Sequence, residues 1–143
     1  MLSELVSRWQ RQGAGLRPPL TEERLVSFEE GNGADLPAPV RSYLRTVDGQ
    51  DDPLDGFRFW PFDEWTTIEQ GAPAYSGGLE PLEWFLFADY LVSSIGYAIS
   101  LRKGSDRWGT IIALGGKEHD FAAKSFEDFV RAYLNDFDSL TIL

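Results

Sequence analysis

The sequence predicts an α+β fold: a single domain over residues 1–143, with a central antiparallel or mixed β-sheet covered on one face by packed helices. It has N-terminal helices and one C-terminal helix. Three observations predict it. Apolar residues recur at helical spacing as far as Gly49. From Phe57 to Ala123 they alternate with polar ones or form strand-length runs, and helical spacing returns after Ser125.

The elements follow in order. Leu2, Leu5, Val6 and Trp9 make one face of a short helix, with Ser3 near its start. Gly13, Gly15, Pro18 and Pro19 then break the chain. Thr21 is a good N-cap, Glu22 and Glu23 suit the positive first turn, and Leu20 and Leu25 occupy the positions of a hydrophobic staple. This second helix runs through Phe28 to Gly31-Asn32-Gly33. A third opens near Pro37, carries Val40, Tyr43, Leu44 and Val47 on one face, and takes Gly49 as its C′ residue. Phe57 and Phe59 alternate with polar neighbours as a strand does, and Trp60-Pro61 ends it. Residues 62–68 read as a helical turn and residues 71–78 as a loop. Residues 84–88 form a continuous apolar run that suits a buried strand. Tyr97, Ile99 and Leu101 alternate in the next strand, Lys103-Gly104-Ser105-Asp106 turns the chain, and residues 110–114 are β-branched and apolar up to Gly115-Gly116. A short strand over 119–123 precedes Ser125, which caps a helix whose Phe126, Phe129, Val130, Tyr133, Leu134 and Phe137 form a broad apolar stripe. No internal repeat, low-complexity segment or interdomain linker interrupts this order.

Composition excludes several chemistries. The 143 residues include no Cys and one His. The first rules out disulfides, thiolate metal sites and a cysteine nucleophile, and the second rules out a site needing two imidazoles. The formal charge of −10 argues against non-specific nucleic-acid binding and against an anionic membrane surface. The opening Met1-Leu2-Ser3-Glu4-Leu5 places an acid where a signal peptide needs bases, and the longest apolar runs are strand-sized, so a cytoplasmic location is expected.

Catalytic signals are weak. His119 and Asp120 are neighbours on a strand, so their side chains point to opposite faces. Ser93, Ser94 and Ser125 stand in no nucleophile elbow. A calcium loop counted from Asp51 would need an oxygen ligand at Pro53 and a Glu at Phe62, and both fail. No cofactor, metal or catalytic residue is expected. Charge is the stronger signal. Residues 48–64 hold Asp48, Asp51, Asp52, Asp55, Asp63 and Glu64 against Arg58 alone, interleaved with Phe57, Phe59, Trp60, Phe62 and Trp65. Acids around aromatic anchors suit the steering and holding of a basic protein. The bland alternative puts the rings in the core and the acids in solvent. Residues 101–124 carry a net +2, so the molecule is expected to be electrically polarised.

Three segments resemble the SUKH superfamily, which joins bacterial toxin-immunity proteins with the fungal Smi/Knr-type cell-wall assembly regulators. Leu36-Pro37-Ala38-Pro39-Val40-Arg41-Ser42-Tyr43-Leu44 through Asp48-Gly49 is similar to its leucine–proline helix start and closing glycine. Phe87-Ala88-Asp89-Tyr90 and Tyr97-Ala98-Ile99-Ser100-Leu101 resemble its central strands, and Ala123-Lys124-Ser125-Phe126-Glu127-Asp128-Phe129-Val130 its C-terminal helix. Many relatives carry a glycine- and acid-rich turn between the central strands. Here Leu91-Val92-Ser93-Ser94-Ile95-Gly96 is apolar and longer.

The resemblance implies a non-enzymatic protein-binding module, an immunity protein for a basic, nuclease-type toxin. Asp48, Asp51, Asp52 and Asp55 are the expected steering charges, and Trp60, Trp65 and Tyr75 the expected anchors. Two alternatives stand beside it. One is a small-molecule or carbohydrate-binding domain or weak hydrolase, which needs a pocket lined by open aromatic faces. The other is a regulatory scaffold with no toxin partner. An exposed 91–95 segment would suit a homodimer, and a buried one an internal bend.

Overall fold

In the computed structural model, residues 1–73, 78–80, 82–115 and 118–141 are described. Three helices come first: α1 (Leu2–Arg11), α2 (Glu22–Asn32) and α3 (Ala38–Leu44). The strands are β1 (Phe57–Phe59), β2 (Thr66–Thr67), β3 (Trp84–Tyr90), β4 (Ile95–Ser100), β5 (Ile111–Gly115) and β6 (Glu118–Ala123). A 3-10 turn (Phe62–Glu64) and α4 (Ile68–Gly71) flank β2, and α5 (Phe126–Asn135) and α6 (Asp138–Thr141) close the chain. The strands form a six-stranded sheet in the order β1-β3-β4-β5-β6, with β2 also paired to β3. Every pairing among the described residues is antiparallel.

The helix ends follow local chemistry. The Thr21 hydroxyl accepts the Arg24 N–H at 3.2 Å and the Ser125 hydroxyl accepts the Asp128 N–H at 3.1 Å. Gly33 ends α2 in the left-handed conformation. Ser3 stands near the start of the first helix, whose N-cap is Met1. One expectation needs correcting. The third helix ends at Leu44, so Gly49 is not its C′ residue. Gly49 is left-handed (φ 68°) for another reason: a Cβ there would lie 2.6 Å from the Phe59 carbonyl oxygen. It lets the chain run tightly along β1, where the Gln50 N–H donates to the Phe59 carbonyl and the Gln50 side-chain oxygen accepts the Phe59 N–H.

The sheet is covered on both faces, not one. The larger core lies under α1, α2, α3 and α5 and is dominated by rings. Phe57 stacks on Tyr97 at 5.1 Å, and Phe59 meets Trp9 and Tyr133 edge-on, each at 5.1 Å. The buried Trp9 indole donates to the Tyr133 hydroxyl at 3.1 Å and so joins α1 to α5. The second core holds Trp84, Leu86, Ala98, Ile112 and Leu114 beneath Ile68 and Leu79. This is why residues 84–88 are apolar without alternation: both faces of β3 are buried. Residues 62–68 accordingly do not form one helical turn. Thr66 and Thr67 pair with Leu86 and Phe85, and the Thr67 hydroxyl then accepts the Gln70 N–H to cap α4, which carries Ile68 over the second core. A second short helix, α6, follows α5, and the Tyr97 hydroxyl donates to its Leu140 carbonyl.

Candidate interaction surface at one end of the sheet

The acidic segment 48–64 is a built structure rather than a solvated run. At its base Asp48 is 5% exposed. Its carboxylate accepts the Phe62 N–H at 2.7 Å and faces the Arg17 guanidinium at 3.9 Å. Burial pushes its carboxyl above the usual range, with the Phe62 N–H and Arg17 opposing. Asp48, expected as a steering charge, thus lies buried and partnered within the fold rather than open to solvent. Arg17 also reaches Asp51 and Asp63, each at 3.6 Å. A cation from outside the segment thus meets half of its acids, which a charge count over 48–64 omits.

Arg58 fixes the next turn. Its guanidinium forms a bidentate pair with Glu64, both bonds 2.8 Å, and its Nε donates to the Asp51 carbonyl at 3.0 Å. That pair holds the Glu64 carboxyl below its usual range. The loop then closes on Leu54-Asp55-Gly56-Phe57. The Phe57 N–H donates to the Leu54 carbonyl at 2.8 Å, and φ is 53° at Asp55 and 80° at Gly56. Positive φ at both central residues is a type I′ turn, for which Asp-Gly is the favoured pair. That dipeptide was a legible signal for where Asp55 would stand. Asp51, Asp52 and Asp55 are all exposed, and among the described residues Asp52 and Asp55 have no ion pair.

The aromatic candidates divide. Trp65 is 8% exposed, its ring edge-on to Phe62 at 4.9 Å and its indole N–H on the Trp60 carbonyl at 3.1 Å, so it is packed within the fold. Trp60 is half-buried and packs between the two cores. It lines a pocket of about 180 Å³ with Leu86, Ser93, Gly96 and Leu114. Tyr75 lies outside the described residues. Phe57, Phe59 and Phe62 are buried. A cleft of about 500 Å³ beside α2 is lined by Phe28, Phe62, Trp65 and Phe85. None of these rings is more than 9% exposed, so the cleft offers no open stacking face for a sugar. His119 is exposed on β6, and the Asp120 carboxylate accepts the Phe121 N–H. No group of three or more His, Asp or Glu side chains among the described residues converges as a metal site, and no described helix is long and apolar enough to cross a membrane.

Beside the 51–56 loop stands the β3–β4 turn. Phe57 is paired with Tyr90, and the Leu91 N–H donates to the Gly56 carbonyl at 2.8 Å. Leu91, Val92 and Ser93 are all left-handed, at φ 53°, 51° and 68°. Leu91 is 52% and Val92 87% exposed. Nothing in a linear reading joined this turn to the acids.

Residues 19–132, about four fifths of the chain, match the family model described as SMI1 / KNR4 family (SUKH-1). All three segments that carry the resemblance fall inside this match. A comparison with curated proteins finds no match.

Proposed function

The chain belongs to the SMI1 / KNR4 family (SUKH-1), and from that premise we propose that it is a non-enzymatic, cytoplasmic protein-binding module, an immunity protein that neutralises a basic, nuclease-type toxin. Family membership supports an immunity or regulatory module acting through protein contact. The observation that favours a basic partner is the exposed acid loop, Asp51, Asp52 and Asp55, held in place from below by Arg17 and Arg58. Acids held before contact steer a cationic protein and lose little freedom on binding. They also compete with nucleic acid for the same cations of a nuclease. Asp48 positions the loop, and of the two anchor candidates among the described residues Trp60 is the more exposed.

Co-expression with a toxin domain encoded beside this gene is expected to restore growth. Asp52→Lys with Asp55→Lys is expected to slow association about tenfold at low salt and to flatten its salt dependence. Association that is unchanged by both reversals would sink the electrostatic reading. A verified partner without toxicity would leave a regulatory scaffold.

A further inference from the structure

Resting on the reading of the chain as a protein-binding module, we propose that the β3–β4 turn is its docking tip. Leu91 and Val92 enter an apolar depression on a cationic protein, and Asp52, Asp55, Asp89, Asp136 and Asp138 face the cations around that depression.

The tip is apolar where a hairpin turn is ordinarily Gly, Asn or Asp. Val92 is 87% exposed, the largest exposure among the large hydrophobic residues of the described chain. The tip is also hydrogen-bonded on both sides of Val92. The Leu91 N–H is bound by Gly56, the Leu91 carbonyl accepts both the Ser94 N–H (3.3 Å) and the Ser94 hydroxyl (2.9 Å), and the Ser93 hydroxyl donates to Asp89 at 3.2 Å. An apolar knob that is already ordered loses little freedom on docking.

The surrounding charge identifies the occupant. Asp52 and Asp55 come from the loop that touches the tip, and Asp89 lies at the end of β3. Helix α5 returns from the other end of the sheet, and Phe137 packs on Tyr90 at 5.4 Å and on Phe57 at 5.6 Å. That brings exposed Asp136 and Asp138 to the same end. The two cations beneath, Arg17 and Arg58, are paired with Asp48, Asp51, Asp63 and Glu64. A second copy of this chain would set like-charged rims against each other, and a nucleic acid or an anionic membrane would be repelled. A cationic protein surface is complementary in both charge and shape.

The test uses the full chain, isotope-labelled for amide NMR. The probes are capped pentapeptides Lys-Leu-Lys-Leu-Lys, Lys-Ser-Lys-Ser-Lys and Glu-Leu-Glu-Leu-Glu. The first is expected to shift residues 51–56, 89–95 and 136–138, and to bind at least fivefold more tightly than the second. The third is expected not to bind. Val92→Ser, which leaves both cores untouched, is expected to lower affinity for the first probe to that for the second. Three results in this assay overturn the proposal: unchanged affinity in Val92→Ser, shifts centred on the cleft beside α2, or Val92-dependent self-association, which makes a second copy the occupant. Growth rescue by Val92→Ser and Leu91→Ser variants at full strength, with wild-type partner affinity, overturns the tip while leaving the immunity reading standing. Failed rescue by the wild type overturns immunity and leaves the peptide map intact.

Discussion

The turn that enters β4 and the loop that leaves it lie at opposite ends of one strand and use their side chains in opposite ways. In the leaving loop, residues 101–110, Arg107 lies over the buried Trp84 ring at 5.1 Å and Lys103 over Trp108 at 5.6 Å. The Trp108 indole donates to the Asp35 carbonyl at 2.9 Å, and the left-handed position is a glycine, Gly109. Two of its three cations, Lys103 and Arg107, and its Trp108 ring are engaged by the fold. In the entering turn the left-handed positions are Leu, Val and Ser, and the apolar side chains face water. Their neighbours Asp52 and Asp55 have no ion pair among the described residues. Groups already satisfied within the fold gain little from a partner, whereas exposed ones can still gain by being covered.

Removing what each end rests on separates the two most sharply. Trp84→Ala deletes a ring 1% exposed from the second core and the seat of Arg107. It is expected to cost about 3–5 kcal/mol, read as a lowered urea midpoint. A cost near zero would mean that the basic end rests no more on core packing than the tip does. Next comes the buried base of the acidic end. Asp48→Ala leaves the Phe62 N–H without its acceptor and is expected to cost about 2 kcal/mol, whereas Asp52→Ala stays within about 0.5 kcal/mol. Asp48→Asn keeps an accepting oxygen and is expected to lose less than half as much as the alanine variant. Equal effects at positions 48 and 52 would remove the distinction between positioning and surface acids.

At the tip the expected sign reverses. Val92 is β-branched and left-handed, a conformation that costs L-residues about 1–2 kcal/mol. Val92→Asn, which tolerates it, is expected to raise stability by about 1 kcal/mol, seen as a higher urea midpoint. A loss would mean that the exposed valine contributes to the fold.

The smallest effect is a pH dependence. Burial raises the Asp48 carboxyl in the folded chain, so its charged form opposes folding above that raised pKa. The opposition fades as pH falls through it toward the ordinary carboxylate range. The Glu64 carboxyl is lowered by Arg58, so its contribution is complete above the ordinary range and is lost as pH falls through the lowered pKa. Carboxyl NMR titration is expected to place Asp48 above the ordinary aspartate range and Glu64 below the ordinary glutamate range. The stability of wild type relative to Asp48→Asn is expected to rise as pH falls through the carboxylate range. An Asp48 carboxyl at or below the ordinary aspartate range would contradict its burial.

Much of the fold was legible because local chemistry set it. Thr21 and Ser125 cap the helices their sequence announced, and the unbroken run 84–88 marked a buried strand. The cover on the second face was not legible. It comes from Ile68 and Leu79, single residues in short segments with no period of their own. The burial of Asp48 was hidden too, because it depends on the Phe62 N–H, 14 positions away. Chain order also hid the acidic end. Asp52, Asp55, Asp89, Asp136 and Asp138 share one end of the sheet because β1 pairs with β3 and α5 returns toward the tip. No window of sequence contains them together.

The connection at residues 91–94 joins the two central strands, yet none of its side chains enters either core. Mutations there leave the packing of both cores intact, within what the left-handed backbone at 91–93 accepts. A lineage whose partner changes its surface could follow by rewriting these four positions, one substitution at a time, without unpacking a core. Among homologues of this chain, divergence is expected to run fastest at this turn and slowest at the rings of Phe57, Phe59 and Trp84. The rate contrast along the alignment would then record the history of the partner rather than that of the fold.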